Sequence, residues 1–181
     1  NVKRIGIGGN EPVSIQTMWK TGIAEICEND EKLIELLKQI NILKSLGCDI
    51  LRFAVPDVKS AEALVRIQNN TDMPLVADIH FDYKCALESV AAGVDKIRIN
   101  PGNIGSDDRI KAVADACRQK NIPIRIGVNS GSLEKDLLKK YGHVTPEALC
   151  ESALRHASLL EKFDFNDIVI SIKSSDVPTM V

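Results

Sequence analysis

Residues 94–101 read VDKIRINP, and this stretch decides the fold. Alternate side chains of a β-strand point to opposite faces of its sheet, so Ile97 and Ile99 share one face. Arg98 and Asn100 share the other. Pro101 at the end of this stretch and the glycine after it end the strand and turn the chain toward a helix. One face of this strand is therefore apolar, and the other carries polar groups near the C-terminal end.

The same alternation recurs along the chain. The predicted strands are Asp49–Pro56, Pro74–His80, Val94–Pro101, Pro123–Asn129 and Asp167–Ser174, with a weaker one at Pro12–Met18. Stretches with apolar residues at helical spacing, and with helix start and stop signals, lie between them. Alternating strands and helices predict parallel strands joined by right-handed crossovers.

Two α/β architectures fit this order, a doubly wound open sheet and a TIM (β/α)₈ barrel. No GxGxxG motif follows the first strand, which weakens the case for a dinucleotide-binding sheet. Polar groups at the ends of five strands favour a barrel, whose sites draw on several strand ends at one face. A full barrel needs roughly 250 residues. Residues 1–181 therefore predict a truncated barrel domain of about six βα units, part of a longer polypeptide.

Composition excludes several classes of function. The chain is 44% hydrophobic and 27% charged, with a formal net charge of −2. It has no basic excess for nucleic acid, no apolar run long enough for a membrane span and no signal peptide. The widely spaced cysteines form no CxxC pair, so we expect a reducing cytoplasm and no metal site in this chain. They are Cys27, Cys48, Cys85, Cys117 and Cys150.

The polar face of the predicted sheet carries the candidate binding site. An unpaired buried charge costs several kcal/mol, so several cations in one lumen indicate an anionic ligand. Arginine binds phosphate oxygens bidentately, and lysine acts as a point charge. The glycine-bearing turn of residues 98–105 presents free N–H groups to an anion. The candidate binding residues are Arg52, Asp78, His80, Arg98, Asn100, Asn103, Arg125, Asn129 and Lys173.

These residues suit a small ligand that carries two phosphates or a similar charge. No nucleophile and base lie at a convincing spacing, so no residue is predicted to be catalytic. The sequence indicates a site built for binding and electrostatics.

Four motifs resemble the N-terminal barrel of the 4-hydroxy-3-methylbut-2-enyl diphosphate synthase family. They are VADIHFDY (76–83), RINPGNIG (98–105), PIRIGVNSGSLEKDLLKKYG (123–142) and IVISIKSSD (168–176). The resemblance implies an oxidoreductase of the non-mevalonate isoprenoid pathway. Its reaction is the reductive ring opening and dehydration of 2-C-methyl-D-erythritol 2,4-cyclodiphosphate. Electrons would come from ferredoxin or flavodoxin through a [4Fe-4S] cluster.

The resemblance also assigns roles. It implies that the phosphates are held by Arg52, Arg98, Arg125 and Lys173. It implies that the rest of the substrate is contacted by Asp78, His80, Asn100 and Asn129. The family's cluster ligands, three cysteines and a glutamate in a C-terminal domain, are absent from this chain, so these residues alone are expected to be inactive. A homodimer is expected.

Two alternatives stay open. One is a pterin-binding barrel of the dihydropteroate synthase type, a transferase. The four inward cations argue against it, because a pterin calls for an acid and an amide and for fewer basic groups. The other is a non-catalytic phosphate-binding module.

Overall fold

The computed structural model describes all residues from Asn1 to Val181. Six strands form one parallel sheet in sequence order. The strands are β1 (Gln16–Met18), β2 (Ile50–Ala54), β3 (Leu75–Asp78), β4 (Lys96–Ile99), β5 (Ile124–Asn129) and β6 (Ile168–Lys173). The helices are α1 (Asp30–Ser45), α2 (Val58–Gln68), α3 (Tyr83–Ala91), α4 (Pro101–Ile104), α5 (Asp107–Lys120), α6 (Lys135–Tyr141), α7 (Pro146–Glu161) and α8 (Val177–Met180). Short 3₁₀ turns cover Ala24–Cys27 and Ser130–Ser132.

This order confirms the predicted incomplete TIM barrel. The strands are shorter than the sequence pattern suggests, most of all the first, where Pro12–Met18 contributes only three paired residues. Val13 is 95% exposed there, so the side chain has nothing to pack against at this edge of the sheet. No helix combines the length and the apolar character needed to cross a membrane.

Local chemistry sets where the helices begin. The side chains of Asn29, Asp57, Asp82 and Thr145 each accept a hydrogen bond from a backbone N–H in the first turn of the helix that follows. Such caps satisfy N–H groups that have no partner inside the helix. The crossovers therefore start at fixed points after each strand, which holds the strand ends in place.

The apolar face of the sheet packs against the helices. Ile97 and Ile99 of β4 and Ile124 and Ile126 of β5 are fully buried in one large apolar core. The sixth strand is less well covered, and Ile170 is 47% exposed. The helical layer therefore lies on the apolar side, and the polar parity faces the lumen of the barrel.

The sheet curves so that its two edges approach each other. A cavity of about 400 Å³ is lined by Ser14 and Gln16 at the first strand, by Ser171 on the sixth strand, and by Lys96 and Arg125 between them. Residues at opposite edges can line one cavity only if the sheet bends around it. The six strands thus curve around part of a lumen that stays open between β1 and β6.

A short N-terminal bridge covers the bottom of the lumen. Val2 pairs with Ile5 in an antiparallel bridge and packs on Ile50 and Val76. Val2 is 1% exposed. The lumen is therefore apolar at the N-terminal ends of the strands and polar above.

Candidate anion-binding site

Strand register brings charged side chains to one level of the lumen. Asp78 on β3 pairs in register with Arg98 on β4, and Arg98 pairs with Arg125 on β5. Neighbouring strands of a sheet lie about 4.8 Å apart, so these side chains project side by side. The parity rule from the sequence thus places these three predicted residues together.

Asp78 holds two of the guanidinium groups. Its side chain is buried, and its Oδ2 accepts hydrogen bonds from Arg52 Nη2 at 2.7 Å and Arg52 Nε at 3.1 Å. Its Oδ1 accepts a longer bond from Arg98 Nη1 at 3.3 Å. One carboxylate therefore fixes two arginines from neighbouring strands, and its role is to orient them.

Arg125 has no carboxylate partner. Its Nη2 donates to Ser171 Oγ at 2.6 Å. The serine hydroxyl is neutral, so this bond does not compensate the positive charge of Arg125. Burial lowers the pKa of Arg125, and the nearby Arg52 and Arg98 lower it further, while Asp78 opposes them. Arg125 is thus a half-buried cation whose surroundings disfavour its charge.

Lys96 also faces this lumen, and the sequence analysis did not select it. It shares the parity of Arg98 and Asn100 on β4, but it lies at the beginning of the strand rather than the end. The side chain is buried, with 2% exposure. Burial lowers the pKa of Lys96 to about 8, with further contributions from Arg125 and Arg52. The alternation of side chains along β4, without the restriction to strand ends, would have identified Lys96.

Gly127 makes room for Arg98. A Cβ atom at this position would lie 2.2 Å from Arg98 Nε, so only a residue without a side chain lets the guanidinium lie across β5. Arg98 Nη2 donates to the Gly127 carbonyl oxygen at 3.3 Å. The glycine in the RIGVN stretch therefore belongs to the site.

The remaining predicted residues lie at the C-terminal rim of the strands. Asn100 Oδ1 accepts a hydrogen bond from Gly102 N at 3.1 Å and begins α4. Asn129 Oδ1 likewise accepts from Gly131 N at 3.2 Å. Both amides shape their turns, and their NH₂ groups make no hydrogen bond within the chain. Three further predicted residues are exposed at this rim, namely His80, Asn103 and Lys173.

The turn that follows β4 rests on a buried histidine of α7. A Cβ atom at Gly102 would lie 2.5 Å from His156 Cε1. His156 is 4% exposed. Glu134 Oε1 is 2.6 Å from His156 Nε2, although neither ring nitrogen has a well-directed hydrogen bond. Burial lowers the pKa of His156, and Glu134 opposes this shift. Sequence reasoning gave His156 no role.

The lumen as a whole carries an excess of positive charge. Its four cations are Arg52, Lys96, Arg98 and Arg125, and Asp78 is the one carboxylate among them. Uncompensated charges are costly away from water, so this arrangement is favourable only when an anion supplies the missing negative charge.

A family model for the GcpE TIM-barrel domain matches residues 1–181, the whole chain. The chain belongs to this family. Curated relatives support the assignment. A protein of Fusobacterium nucleatum is 52% identical over 180 residues, covering 99% of this chain and 49% of the relative. One of Clostridium perfringens is 55% identical over 181 residues, covering 99% and 50%. Both are named 4-hydroxy-3-methylbut-2-en-1-yl diphosphate synthase (flavodoxin).

The chain spans about half the length of the curated relatives that it matches. The family resemblance drawn from the motifs is confirmed. The names of these relatives include flavodoxin, which marks them as redox enzymes.

Solved structures share the fold. Dihydropteroate synthase from Xanthomonas albilineans is 14% identical, with a TM-score of 0.54 over 87% of this chain and 57% of the other. The corresponding enzyme from Vibrio fischeri is 11% identical, with a TM-score of 0.56 over 87% and 61%. At such low identity these matches show the barrel fold of the GcpE domain and carry no argument for pterin binding.

The cysteines of the GcpE domain do not form a set of cluster ligands. Cys48, Cys85 and Cys117 are buried, Cys150 is exposed, and no three His, Cys, Asp or Glu side chains converge as metal ligands would. Burial raises the pKa of Cys117 to about 12, which opposes formation of the thiolate that a metal requires. These residues do not fit a [4Fe-4S] cluster.

Proposed function

We propose that this chain is the diphosphate-binding barrel of a 4-hydroxy-3-methylbut-2-enyl diphosphate synthase. The observation that supports this best is the lumen with four cations and one carboxylate. The proposed substrate is 2-C-methyl-D-erythritol 2,4-cyclodiphosphate, whose two phosphates supply the missing negative charge. The names of the relatives point to the same reaction.

The arginines would hold the substrate and stabilise charge as its ring opens. Reductive ring opening breaks a carbon–oxygen bond to phosphate and leaves additional negative charge on the released phosphate oxygen. Arg98 and Arg125 are fixed by Asp78, Gly127 and Ser171 before the ligand arrives. Preorganised donors aimed at developing charge lower the barrier, because they need not reorient during the reaction.

The exposed rim residues would contact the rest of the substrate. His80, Asn103 and Lys173 are free to turn toward a ligand that extends above the lumen. The unused NH₂ groups of Asn100 and Asn129 can donate to hydroxyl or phosphate oxygens. No residue of this chain is proposed as a general acid or base.

We propose flavodoxin as the electron donor, following the relatives' names, with ferredoxin as the other candidate. A [4Fe-4S] cluster would supply the electrons. Since the chain covers about half of its relatives and its own cysteines are dispersed, the cluster ligands would come from the unmatched half. A cytoplasmic homodimer in which one subunit's cluster covers another's barrel also remains part of this proposal.

The substrate assignment is tested at Arg125 in the full-length synthase. Arg125→Met should weaken binding of the cyclodiphosphate by about 2–5 kcal/mol, the cost typical of removing a buried charged partner. Arg125→Lys should lie between this variant and the wild type, because it keeps the charge and loses the fork. Isothermal titration calorimetry measures the Kd.

The matched control is Arg118→Met, which removes an arginine that pairs with Asp115 on the outer helix α5. It should leave the Kd unchanged. An unchanged Kd in Arg125→Met would refute the proposed binding site, and equal weakening in both variants would show that the effect is not specific to the lumen.

A further inference from the structure

Lys96 differs from the other lumen cations in how its charge is compensated. Arg52 and Arg98 each form an ion pair with Asp78. Lys96 forms no ion pair or side-chain hydrogen bond with any residue of the chain, although it is only 2% exposed. Buried lysines are normally paired, because an isolated ammonium loses its hydration without replacement. The Lys96 ammonium has no partner in the chain and is not fully closed off from the lumen, so an anion in the lumen can reach it.

The position of Lys96 shows where that partner would lie. Its register partner on β3 is Val76, one level below Asp78 and Arg98. Two residues along a strand span about 6.6 Å, which an extended lysine side chain covers. Lys96 lines the 400 Å³ cavity together with Arg125, Gln16 and Ser171. Lys96 therefore enters the lumen one level below Asp78 and Arg98, at the floor of the anion site.

We propose that Lys96 is the floor cation of this site and that it takes up a proton when a phosphate-bearing ligand binds. The inference rests on the proposed function in one respect, since the ligand is taken to be a phosphate anion. It adds a binding residue and a proton linkage to the proposed site.

The surroundings of Lys96 explain the linkage. Arg52 on β2 and Arg125 on β5 both repel its charge, and Asp78 is already shared by Arg52 and Arg98. The groups that line the cavity from β1 and β6, Gln16 and Ser171, are neutral. With a pKa of about 8, most Lys96 side chains are neutral at pH 9 in the free protein. A bound anion reverses the local field and restores the ammonium.

The sign of the pH dependence follows. Ligand binding favours protonated Lys96, so affinity is highest below the pKa of the free protein, about 8. Affinity should then fall by roughly tenfold for each further pH unit until the pKa of the complex is reached. The second ionisation of a phosphate monoester lies near pH 6, so the ligand itself does not titrate at pH 9.

The experiment is calorimetry on the full-length protein at pH 7 and pH 9. Titrations in buffers of different ionisation enthalpy count the protons taken up for each ligand bound. The probes are the cyclodiphosphate and methyl phosphate. The wild type should take up close to one proton at pH 9 and none through Lys96 at pH 7.

Three variants isolate the lysine. Lys96→Met should bind at least tenfold more weakly at pH 7 and take up no proton at pH 9. Lys96→Arg keeps its charge at both pH values, so its affinity should not fall between pH 7 and pH 9. Lys38→Met, on the exposed side of α1, should behave as the wild type.

The outcomes separate the two proposals. If methyl phosphate binds with proton uptake and the cyclodiphosphate does not bind, the proposed role of Lys96 is supported and the proposed substrate is overturned. Uptake that persists in Lys96→Met, or no uptake in a wild type that binds, overturns the role of Lys96. Failure of both anions to bind overturns both proposals. If Lys96→Met does not fold, the wild-type proton count and Lys96→Arg decide.

Discussion

At the residue scale, the site depends on Gly127, which has no side chain, as much as on its charged residues. Arg98 lies on β4, and its guanidinium rests against Gly127 of β5 on one side and donates to Asp78 of β3 on the other. The glycine is not in the left-handed region, so its conformation is open to other residues. The requirement for glycine is therefore steric and concerns the ligand site.

Gly127→Ala should fold and yet lose affinity for the anionic ligand. The Cβ atom would lie 2.2 Å from Arg98 Nε, and the arginine can move aside because its side chain is flexible. Moving aside breaks its bonds to Asp78 and to the carbonyl oxygen of residue 127, so we expect a loss of about 1–3 kcal/mol in binding. Calorimetry gives the Kd, and a thermal melt shows whether the fold persists.

Gly22→Ala is the matched control, since nothing lies within 4 Å of a Cβ atom at that position. It should keep the wild-type Kd. Equal affinity in the two variants would show that the position of Arg98 does not matter for binding.

The alternation of side chains predicted the lumen residues near the C-terminal ends of the strands. It missed the lumen residue at the beginning of a strand. Arg52, Asp78, Arg98 and Arg125 were predicted because they share one face near the strand ends. Lys96 shares that face but begins its strand, so a rule based on strand ends passed over it. Whether the exposed His80 contacts a ligand stays a prediction.

At the scale of elements, α7 supports the turn between β4 and α5. His156 of α7 contacts Gly102, and Ser152 one turn earlier donates to both carboxylate oxygens of Glu134, at 3.0 and 2.8 Å. The middle of α7, α4 and the segment before α6 thus meet around one buried imidazole. Its protonation state should affect the stability of this junction.

We expect the His156 junction to weaken as the pH falls. The pKa of His156 is lowered in the folded state, mainly by burial, so the unfolded chain binds its proton more readily. The stabilisation is complete above the unfolded pKa of about 6.5 and is lost as the pH falls through the folded value. The full-length protein should therefore lose stability at this site between pH 7.5 and pH 5.5.

Three variants test this sign by thermal melting at both pH values. His156→Gln should reduce the drop in melting midpoint, because the residue no longer titrates. Glu134→Gln should enlarge it, because Glu134 favours the protonated imidazole. His143→Gln, in an exposed turn, should leave the drop unchanged. A drop that is the same in all four proteins would exclude His156 as its source.

The elements themselves were largely predictable. Alternation, helical spacing and capping residues are local, so all six strands and the longer helices between them could be read from the sequence. The short helix α4, Pro101–Ile104, was interpreted as a turn. The His156 junction was not predictable, because it joins segments far apart in the chain, and the local sequence around each of them is ordinary.

At the scale of the whole molecule, the sheet has two outer edges. β1 and β6 each pair with one neighbour only, since the strand order runs from β1 to β6 without closure. Exposed edges present unpaired N–H and C=O groups that can recruit another chain. The apolar side chains near them include Val13, Ile15 and Ile170, which are 95%, 57% and 47% exposed. The parallel strand order was predictable from the alternating pattern of strands and helices. The exposed fraction of the edge side chains was not, because it depends on which neighbouring elements cover them.

The isolated residues 1–181 should therefore associate at high concentration. Lysine on an edge strand discourages pairing, because adding a strand would bury its charge. Ile170→Lys on β6 should lower the average molecular mass, measured by light scattering at a given concentration, toward that of the monomer. Leu154→Lys is the control, since Leu154 is 64% exposed on the helix α7, away from the sheet edge. If both substitutions reduce association equally, general solubility is responsible and the edge is not. If neither does, the association does not use the β6 edge.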